Sequence, residues 1–546
     1  MNALFHRALK GFLFSKLLTG AALSSISCMA VLNGFHLQGG WLAVLFPLFF
    51  LGFAFLLAHG AEFETQEYKI SDLHVKLALL FVALMILPRI SYLLEWSTDG
   101  VVMALGDDYF RLAELISLSL SRTYPVRHYL NQDYLFSFYY CALLPFVFLK
   151  YIIPVMTLKD CIFFGNAAYT LLVTFSLMEI SNSLFSSKRQ ISFFLFFCTF
   201  FYGLDWIFFP LKWAGHFEWW ETEFFQWNAQ ISSFSTVFFW TIHHLVGAYL
   251  ILVARHMALN VNFKRAEWKV LVVGLLCVAS FYSSVFAFLP VILFLPPHVR
   301  SIWQAIRRGP LSTLACLVIA VSLVPLFLNK PSEITWVFGV NAAPLTSIPV
   351  LNLLLSITLR PILVPMIEFW GLPLLLFFYY RRMKKQERYY LIAAHVYLGM
   401  TYAGWLTGSN NVSMRGMLLP SLVFYFLAAK HMAETEWMTQ LQNRRRILWA
   451  LIILLLSLGT IRESSHQLEL AVRNVVLAQA GYLSPCHELA RNRVTRFLKD
   501  VPILEIRKGA ALYCEKLVQG IRPEDMRFED RELLKRSIVD SRANRD

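Results

Sequence analysis

The chain has 546 residues, of which 57% are hydrophobic, 16% aromatic and 15% charged, and its 49 Lys and Arg against 35 Asp and Glu give a formal net charge of +14. Soluble domains average about 25% charged and about 45–50% apolar residues, and 48 Phe with 15 Trp is more apolar surface than a soluble fold of this length covers. A cytosolic enzyme, a disordered chain and a nucleic-acid-binding protein are excluded, whereas a polytopic membrane protein explains both the apolar content and the basic balance, because cytoplasmic loops collect Lys and Arg.

A helix of about 20 mostly apolar residues crosses a bilayer. The apolar runs are long and lack strand-period alternation, which predicts helices rather than a barrel. The first run, Gly11 to Phe35, follows Arg7 and Lys10. Further runs come after it, so it is a first helix and not a cleaved signal. Spans are then predicted from Trp41 to Ala58, Lys76 to Trp96, Leu135 to Met156, Cys161 to Leu184, Ile191 to Leu211 and Ser232 to Ala254. The series continues from Trp268 to Leu295 (as one helix or two short ones), Leu311 to Leu328, Leu351 to Tyr380, Tyr389 to Leu406, Met417 to His431 and Ile447 to Ile461. The expected fold is all-α, a polytopic bundle of about 11–14 spans with short or re-entrant helices where Pro and Gly interrupt the runs.

Charge orients the bundle. Basic clusters at Arg255–Lys269, Arg300–Arg308, Arg381–Arg388 and Arg444–Arg446 belong in the cytoplasm by the positive-inside rule. The loops Lys212–Ile231, Asn329–Pro349 and Thr407–Gly416 then face outward, as does the polar, charge-mixed tail from Arg462 to Asp546. Residues 1–461 form the membrane module, with outer loops at 97–134 and 212–231, and residues 462–546 a soluble helical tail. One inconsistency stands: two crossings between an outer loop Ser97–Tyr134 and the basic pair Lys188–Arg189 put that pair outside too. A split or re-entrant helix between Tyr134 and Leu211 removes the conflict.

Ionisable groups beside membrane helices are costly and therefore informative. Gly106-Asp107-Asp108-Tyr109 opens a helical stretch in the first outer loop. Its two acids serve either as a cap and first-turn charge or as a general base for an acceptor hydroxyl, strengthened by partial desolvation. A second cluster runs from Asp205 through His216, Glu218 and Trp219 to His243 and His244. Carboxylates, amides and aromatic faces are the mixture sugar sites use; an interfacial Trp belt with histidines satisfied inside the bundle is the plain alternative. A zinc site from His216, His243 and His244 is a third reading, on a spacing that is not diagnostic. The third cluster is Asn410-Asn411-Val412-Ser413-Met414-Arg415 at the outer end of a predicted span. Positive-inside logic leaves Arg415 unexplained; a guanidinium there binds phosphate in bidentate fashion or snorkels to the interface.

GDDYFRLAELI with YPVRHYLNQDYLFSFYYCALLP, then GLDWIFFP, GHFEWWE and FFWTIHHLVGAYL, and finally NNVSMRGMLLPSL, resemble the GT-C superfamily of integral-membrane glycosyltransferases over roughly residues 70–430. The resemblance implies transfer of a sugar from a polyprenyl-phosphate donor to a glycan, lipid or protein acceptor at the outer face of a membrane, expected to be a bacterial plasma membrane. It gives Asp107 or Asp108 the role of catalytic base and Asp205 that of a second acid. Arg415, with Asn410 and Asn411, then holds the donor phosphate, and His216, Glu218, Trp219, His243 and His244 face sugar or acceptor. Many members of the superfamily use a divalent metal; this chain has no clear DxD motif, so no cofactor is assigned. The rivals are a transporter or lipid flippase, which calls for polar groups near the midplane and inverted repeats, an O-antigen ligase or polymerase, and an assembly protein that binds through its tail.

Of the eight Cys, six lie in apolar runs as small buried hydrophobes, and Cys486 and Cys514 lie in the tail. An extracytoplasmic tail permits these two to pair; two free thiols are the alternative. Mass spectrometry of non-reduced peptides separates the two, and free thiols at both positions count against an oxidising location.

Overall fold

The computed structural model describes residues 2–63, 68–93, 140–156, 158–201, 242–325, 369–406 and 415–435, with short stretches and single positions between 115 and 135, 234 and 238, 336 and 366, and 448 and 472. In chain order the helices are α1 (Asn2–Lys10), α2 (Leu13–Gly34), α3 (Leu42–Gly60), α4 (Asp72–Ile86), α5 (Tyr140–Ile152), α6 (Leu158–Leu184), α7 (Lys188–Thr199), α8 (Ile242–Asn260) and α9 (Ala266–Ser283). They continue as α10 (Val285–Phe288), α11 (Val291–Phe294), α12 (Val299–Arg308), α13 (Pro310–Ser322), α14 (Leu372–Leu375), α15 (Lys385–Ala403) and α16 (Leu418–His431). Three small antiparallel ladders pair β1 (Ala61–Phe63) with β4 (Val261–Phe263), β2 (Arg127–His128) with β3 (Asn131–Leu135), and β5 (Trp336–Phe338) with β6 (Gly404–Leu406).

Among the described residues six helices are long and apolar enough to cross a membrane: Leu13–Gly34, Gly39–Gly60, Asp72–Ile90, Asp160–Leu184, Ile242–Asn260 and Ala266–Ser283. The chain is a multi-pass membrane protein by this measure. The other predicted spans fall on shorter helices or on residues outside those described. Helices α2, α6 and α8 form the interior, with Leu18, Leu23, Ile26, Val173, Leu177, Leu245 and Leu250 in one core. Helix α3 is apolar all round and leaves Val44, Leu48, Leu51 and Phe55 exposed, the pattern of a span that faces lipid. Cys28, Cys141, Cys161, Cys198 and Cys316 are buried, Cys277 is half-buried, and all six are free thiols.

Contacts sort the helix ends into two sets. At the basic end, the Glu179 carboxylate near the end of α6 accepts from Phe14 N and Ser15 N at the start of α2, at 2.9 and 2.7 Å. There Lys69 N donates to Asn182 Oδ1 at 2.8 Å, His74 and Ser192 hydrogen bond at 2.7 Å, and Ser183 bonds His256 at 3.1 Å. The β1–β4 ladder and the bond from Lys264 N to Gly60 O (2.9 Å) join the chain after α3 to the chain after α8. Lys430 of α16 reaches Glu387 of α15 at 2.6 Å. At the opposite end, Tyr124 N donates to Leu37 O at 3.0 Å, Tyr151 Oη donates to Ser119 O at 2.8 Å, β5 pairs with β6, and Thr460 Oγ1 donates to Phe200 O at 3.0 Å.

This sorting removes the conflict in the charge count. Helix α5 has 13 residues, about 20 Å at 1.5 Å per residue, too short for a hydrocarbon core of about 30 Å. Its first turn lies halfway down the bundle, where the Cys141 thiol donates to Ala22 O at 3.9 Å. Its last turn is at the opposite end, where Tyr151 sits against Gly39 and the Phe148 ring packs on Phe46 at 4.4 Å. Because Tyr124 is at that end as well, the chain enters and leaves on one side. Helix α5 is therefore a re-entrant arm, and α6 makes the crossing that returns Lys188 and Arg189 to the basic end.

A second arm enters from the basic end. Helix α9 rises along α8 and stops at Ser284, whose hydroxyl caps α10 by accepting from Ala287 N at 3.1 Å. The chain then descends, and Leu293 O accepts from Tyr389 Oη at 2.9 Å, next to the start of α15. The run Trp268 to Leu295 is thus a helical hairpin. Its tip, Ser283, sits beside Cys141, so the two arms meet inside the bundle.

Cysteines placed at Phe35 and Val155, both exposed, and at exposed Ser186 test this path in a background without native cysteines. A membrane-impermeant maleimide applied to intact cells is expected to treat Phe35→Cys and Val155→Cys alike and Ser186→Cys in the opposite way. A full crossing by α5 reverses the last two.

Candidate functional site

Among the predicted site residues, His243, His244 and Arg415 are described; Asp107, Asp108, Asp205, His216, Glu218, Trp219, Asn410 and Asn411 lie outside the described residues. Helix α4 starts at the basic end and runs away from it toward the loop that carries Asp107 and Asp108. Helix α7 does the same and leads, past Phe200, toward Asp205. Helix α8 begins inside the bundle, 23 residues after Trp219, with His244 against Ser284. Strand β6 and the start of α16 bracket Asn410 and Asn411. The connections that carry Asp107, Asp108, Asp205, Asn410 and Asn411 thus follow elements that lead away from the basic end, whereas the first described residue after His216, Glu218 and Trp219 is Phe234, buried against Tyr249 and Tyr425.

Helices α8 and α16 are neighbours that run the same way. Phe234 packs against Tyr249 of α8 at 6.3 Å and against Tyr425 of α16 at 5.7 Å, and these tyrosines hold matching places in their helices. Arg415 is half-buried in the turn that precedes α16, and His243 and His244 are in the first turn of α8. The guanidinium is a fixed positive charge with a planar fork of donors that matches phosphate oxygens.

The histidines are inside the bundle. His243 is 2% exposed and His244 0%, and their rings are 4.0 Å apart. His244 Nδ1 and Ser284 Oγ are 2.6 Å apart. Ser284 Oγ also accepts from Ala287 N–H, so one hydroxyl joins the cap of α10 to His244. A Cβ on Gly247 would come within 2.9 Å of Ser284 Cβ, and Ser280 Oγ donates to Gly247 O at 2.7 Å. Glycine at 247 permits the hairpin tip to touch α8, and the Ser284–His244 bond then holds it there. Among the described residues no group of three or more His, Cys, Asp or Glu is placed to hold a metal ion.

Two acids at the basic end were not among the predicted site residues. Glu179 is 1% exposed and takes the place of a side-chain cap for α2, whose own N-cap position is Phe12. Its signal in the sequence is an acid inside an apolar run. Glu387 is 7% exposed and accepts from Lys384 N at 2.9 Å, from Lys430 Nζ at 2.6 Å and from His431 Nε2 at 3.1 Å. Burial alone raises its pKa. The Lys430 and Lys384 hydrogen bonds and the Lys430 and His431 charges outweigh that, and the carboxyl is held below its ordinary value. Both acids tie helices together at their ends, which is a scaffold role.

Because the folded pKa of Glu387 lies below the ordinary 4.5, its stabilisation is present above that value and is lost as pH falls through the lowered one. Glu387→Gln is expected to cost about 1–3 kcal/mol at neutral pH. Thermal unfolding in detergent should show the gap to wild type closing as pH falls below about 4.5. No protein-family model, curated protein or solved structure matches the chain.

Proposed function

We propose that this protein is an integral-membrane glycosyltransferase of GT-C type. It moves a sugar from a polyprenyl-phosphate donor to an acceptor hydroxyl on a lipid, glycan or protein, at the face of a bacterial plasma membrane opposite the basic loops. What supports the reading is that α4 and α7 lead away from the basic end, and the chain that follows them in sequence carries Asp107, Asp108 and Asp205, while β6 and the Arg415 turn flank Asn410 and Asn411. A donor whose phosphate lies at a membrane face and an acceptor that meets it there need these groups on one side.

In this mechanism the Arg415 guanidinium, with Asn410 and Asn411 beside it in sequence, binds the donor phosphate and stabilises the charge that grows on it as the glycosidic C–O bond breaks. Asp107 or Asp108 takes the proton of the acceptor hydroxyl while its oxygen attacks the anomeric carbon. Asp205 orients the acceptor, and His216, Glu218 and Trp219 contact sugar hydroxyls and the ring's apolar face. His243 and His244 support these groups from within the bundle. The reaction yields the glycosylated acceptor and a lipid phosphate.

One observation favours a second reading. Re-entrant arms that meet inside a bundle also build solute sites in transporters. Transfer from a labelled polyprenyl-phosphate sugar, measured with protein in liposomes, separates the two. Arg415→Ala is expected to lower turnover by about 10²–10³-fold, Arg415→Lys less, and Asp107→Asn or Asp108→Asn to abolish transfer, all with normal expression. Full activity in Arg415→Ala, Asp107→Asn and Asp108→Asn overturns the site. Solute uptake by liposomes that leave the donor unconsumed overturns the reading in favour of transport.

A further inference from the structure

The descending arm of the hairpin ends in a helix that packs unlike the others. The chain turns by 61° between Val285–Phe294 and Pro296–Arg308, and α12, VRSIWQAIRR, has no buried residue. Its sequence is sharply two-sided: at 100° per residue Val299, Ile302, Trp303 and Ile306 fall on one face, and Arg300, Gln304, Arg307 and Arg308 on the other. Val299 is 60% exposed, Ile302 39% and Trp303 54%. The Arg307 guanidinium lies 5.1 Å from the Trp303 ring centre, where the two faces adjoin.

Two further observations say what covers this helix. Helix α13 follows after Gly309 and is tied to the start of α9 by the bond from Ser312 N to Glu267 Oε2 at 3.1 Å. Its Leu311, Leu314, Leu317, Val318 and Val321 are exposed, so the apolar face of α12 continues into a lipid-facing stripe. The exposed charge at this end is mostly positive: beyond the α12 arginines, Lys264, Arg265, Arg381, Arg382, Lys384 and Lys385 are exposed, against the exposed acids Glu62, Asp72 and Glu434. The acids that face them, Glu267 and Glu387, are already bonded within the fold. An apolar face level with the mouth of a span, rimmed by arginines, fits the headgroup layer of a membrane.

We propose that α12 is an interfacial helix that seats in an anionic phospholipid leaflet. Val299, Ile302 and Trp303 enter the acyl boundary, and Arg300, Arg307 and Arg308 bind lipid phosphates. The site lies at the end away from the proposed sugar-transfer chemistry and does not depend on it.

The test uses full-length protein in a neutral detergent, with thermal unfolding followed as phosphatidylglycerol or phosphatidylcholine is added. Phosphatidylglycerol is expected to raise Tm more than phosphatidylcholine, less so at high salt, while free glycerol phosphate leaves Tm unmoved. At roughly fivefold per arginine near a charged surface, the triple variant Arg300→Gln, Arg307→Gln, Arg308→Gln should need on the order of a hundredfold more phosphatidylglycerol for half its effect. Should that variant fail to fold, a photo-cross-linking amino acid at position 303 in the otherwise native chain gives the second measurement, with lipid adducts rich in phosphatidylglycerol expected. Equal response to both lipids, an unchanged midpoint in the triple variant, the same Tm rise from free glycerol phosphate, or adducts that carry protein instead of lipid each overturn the proposal.

Discussion

A backbone N–H or C=O inside an apolar medium must find a partner within the protein, because no water is there to supply one. A full-length helix meets this condition by itself except in its terminal turns, so long spans are the simple solution. This chain departs from it where α5 begins inside the bundle and where the chain breaks at Ser284 after α9, and much of its buried polar chemistry serves those ends. Ser284 caps α10 and bonds His244, Ser280 closes the α9 approach on Gly247 O, and the Cys141 thiol reaches Ala22 O. Glu179 does the same work for α2 at the basic end.

The arms also set the sidedness of everything after them. An arm adds chain without adding a crossing, so α5 reverses the side on which each later loop falls relative to a count of apolar runs. With it, the basic loops gather at one end, in agreement with the positive-inside rule. Among the described residues, Lys264, Arg265, Arg381, Arg382, Lys384 and Lys385 are exposed at the basic end.

Much of the scaffold was legible from the residues. The runs at Gly11–Phe35, Trp41–Ala58 and Cys161–Leu184 match helices because a stretch with so few polar groups has no other stable form in a bilayer. The need for a re-entrant segment between Tyr134 and Leu211 could also be read, since it followed from charge parity. Its location could not: Leu135–Met156 is as apolar as a true span, and only the Cys141–Ala22 and Tyr151–Ser119 contacts reveal that both its ends are tied to one half of the bundle. Glu387 was hidden for a similar reason. It sits in a run of Lys and Arg and reads as one more solvated charge, until α16 brings Lys430 and His431 to it across 43 residues of chain.

The sequence by itself determined that the chain is a membrane protein, which end of it is basic, and which residue types stand out from that pattern. These depend on composition and local periodicity, which need no knowledge of what packs against what. The tertiary structure decided where the chain turns back, that His243 and His244 are inside the bundle with Ser284 as a partner, and that Phe234 packs between Tyr249 of α8 and Tyr425 of α16. Those are relations between segments far apart in the chain, set by close packing at Gly247 and by hydrogen bonds at buried helix ends, and no single run of residues contains them.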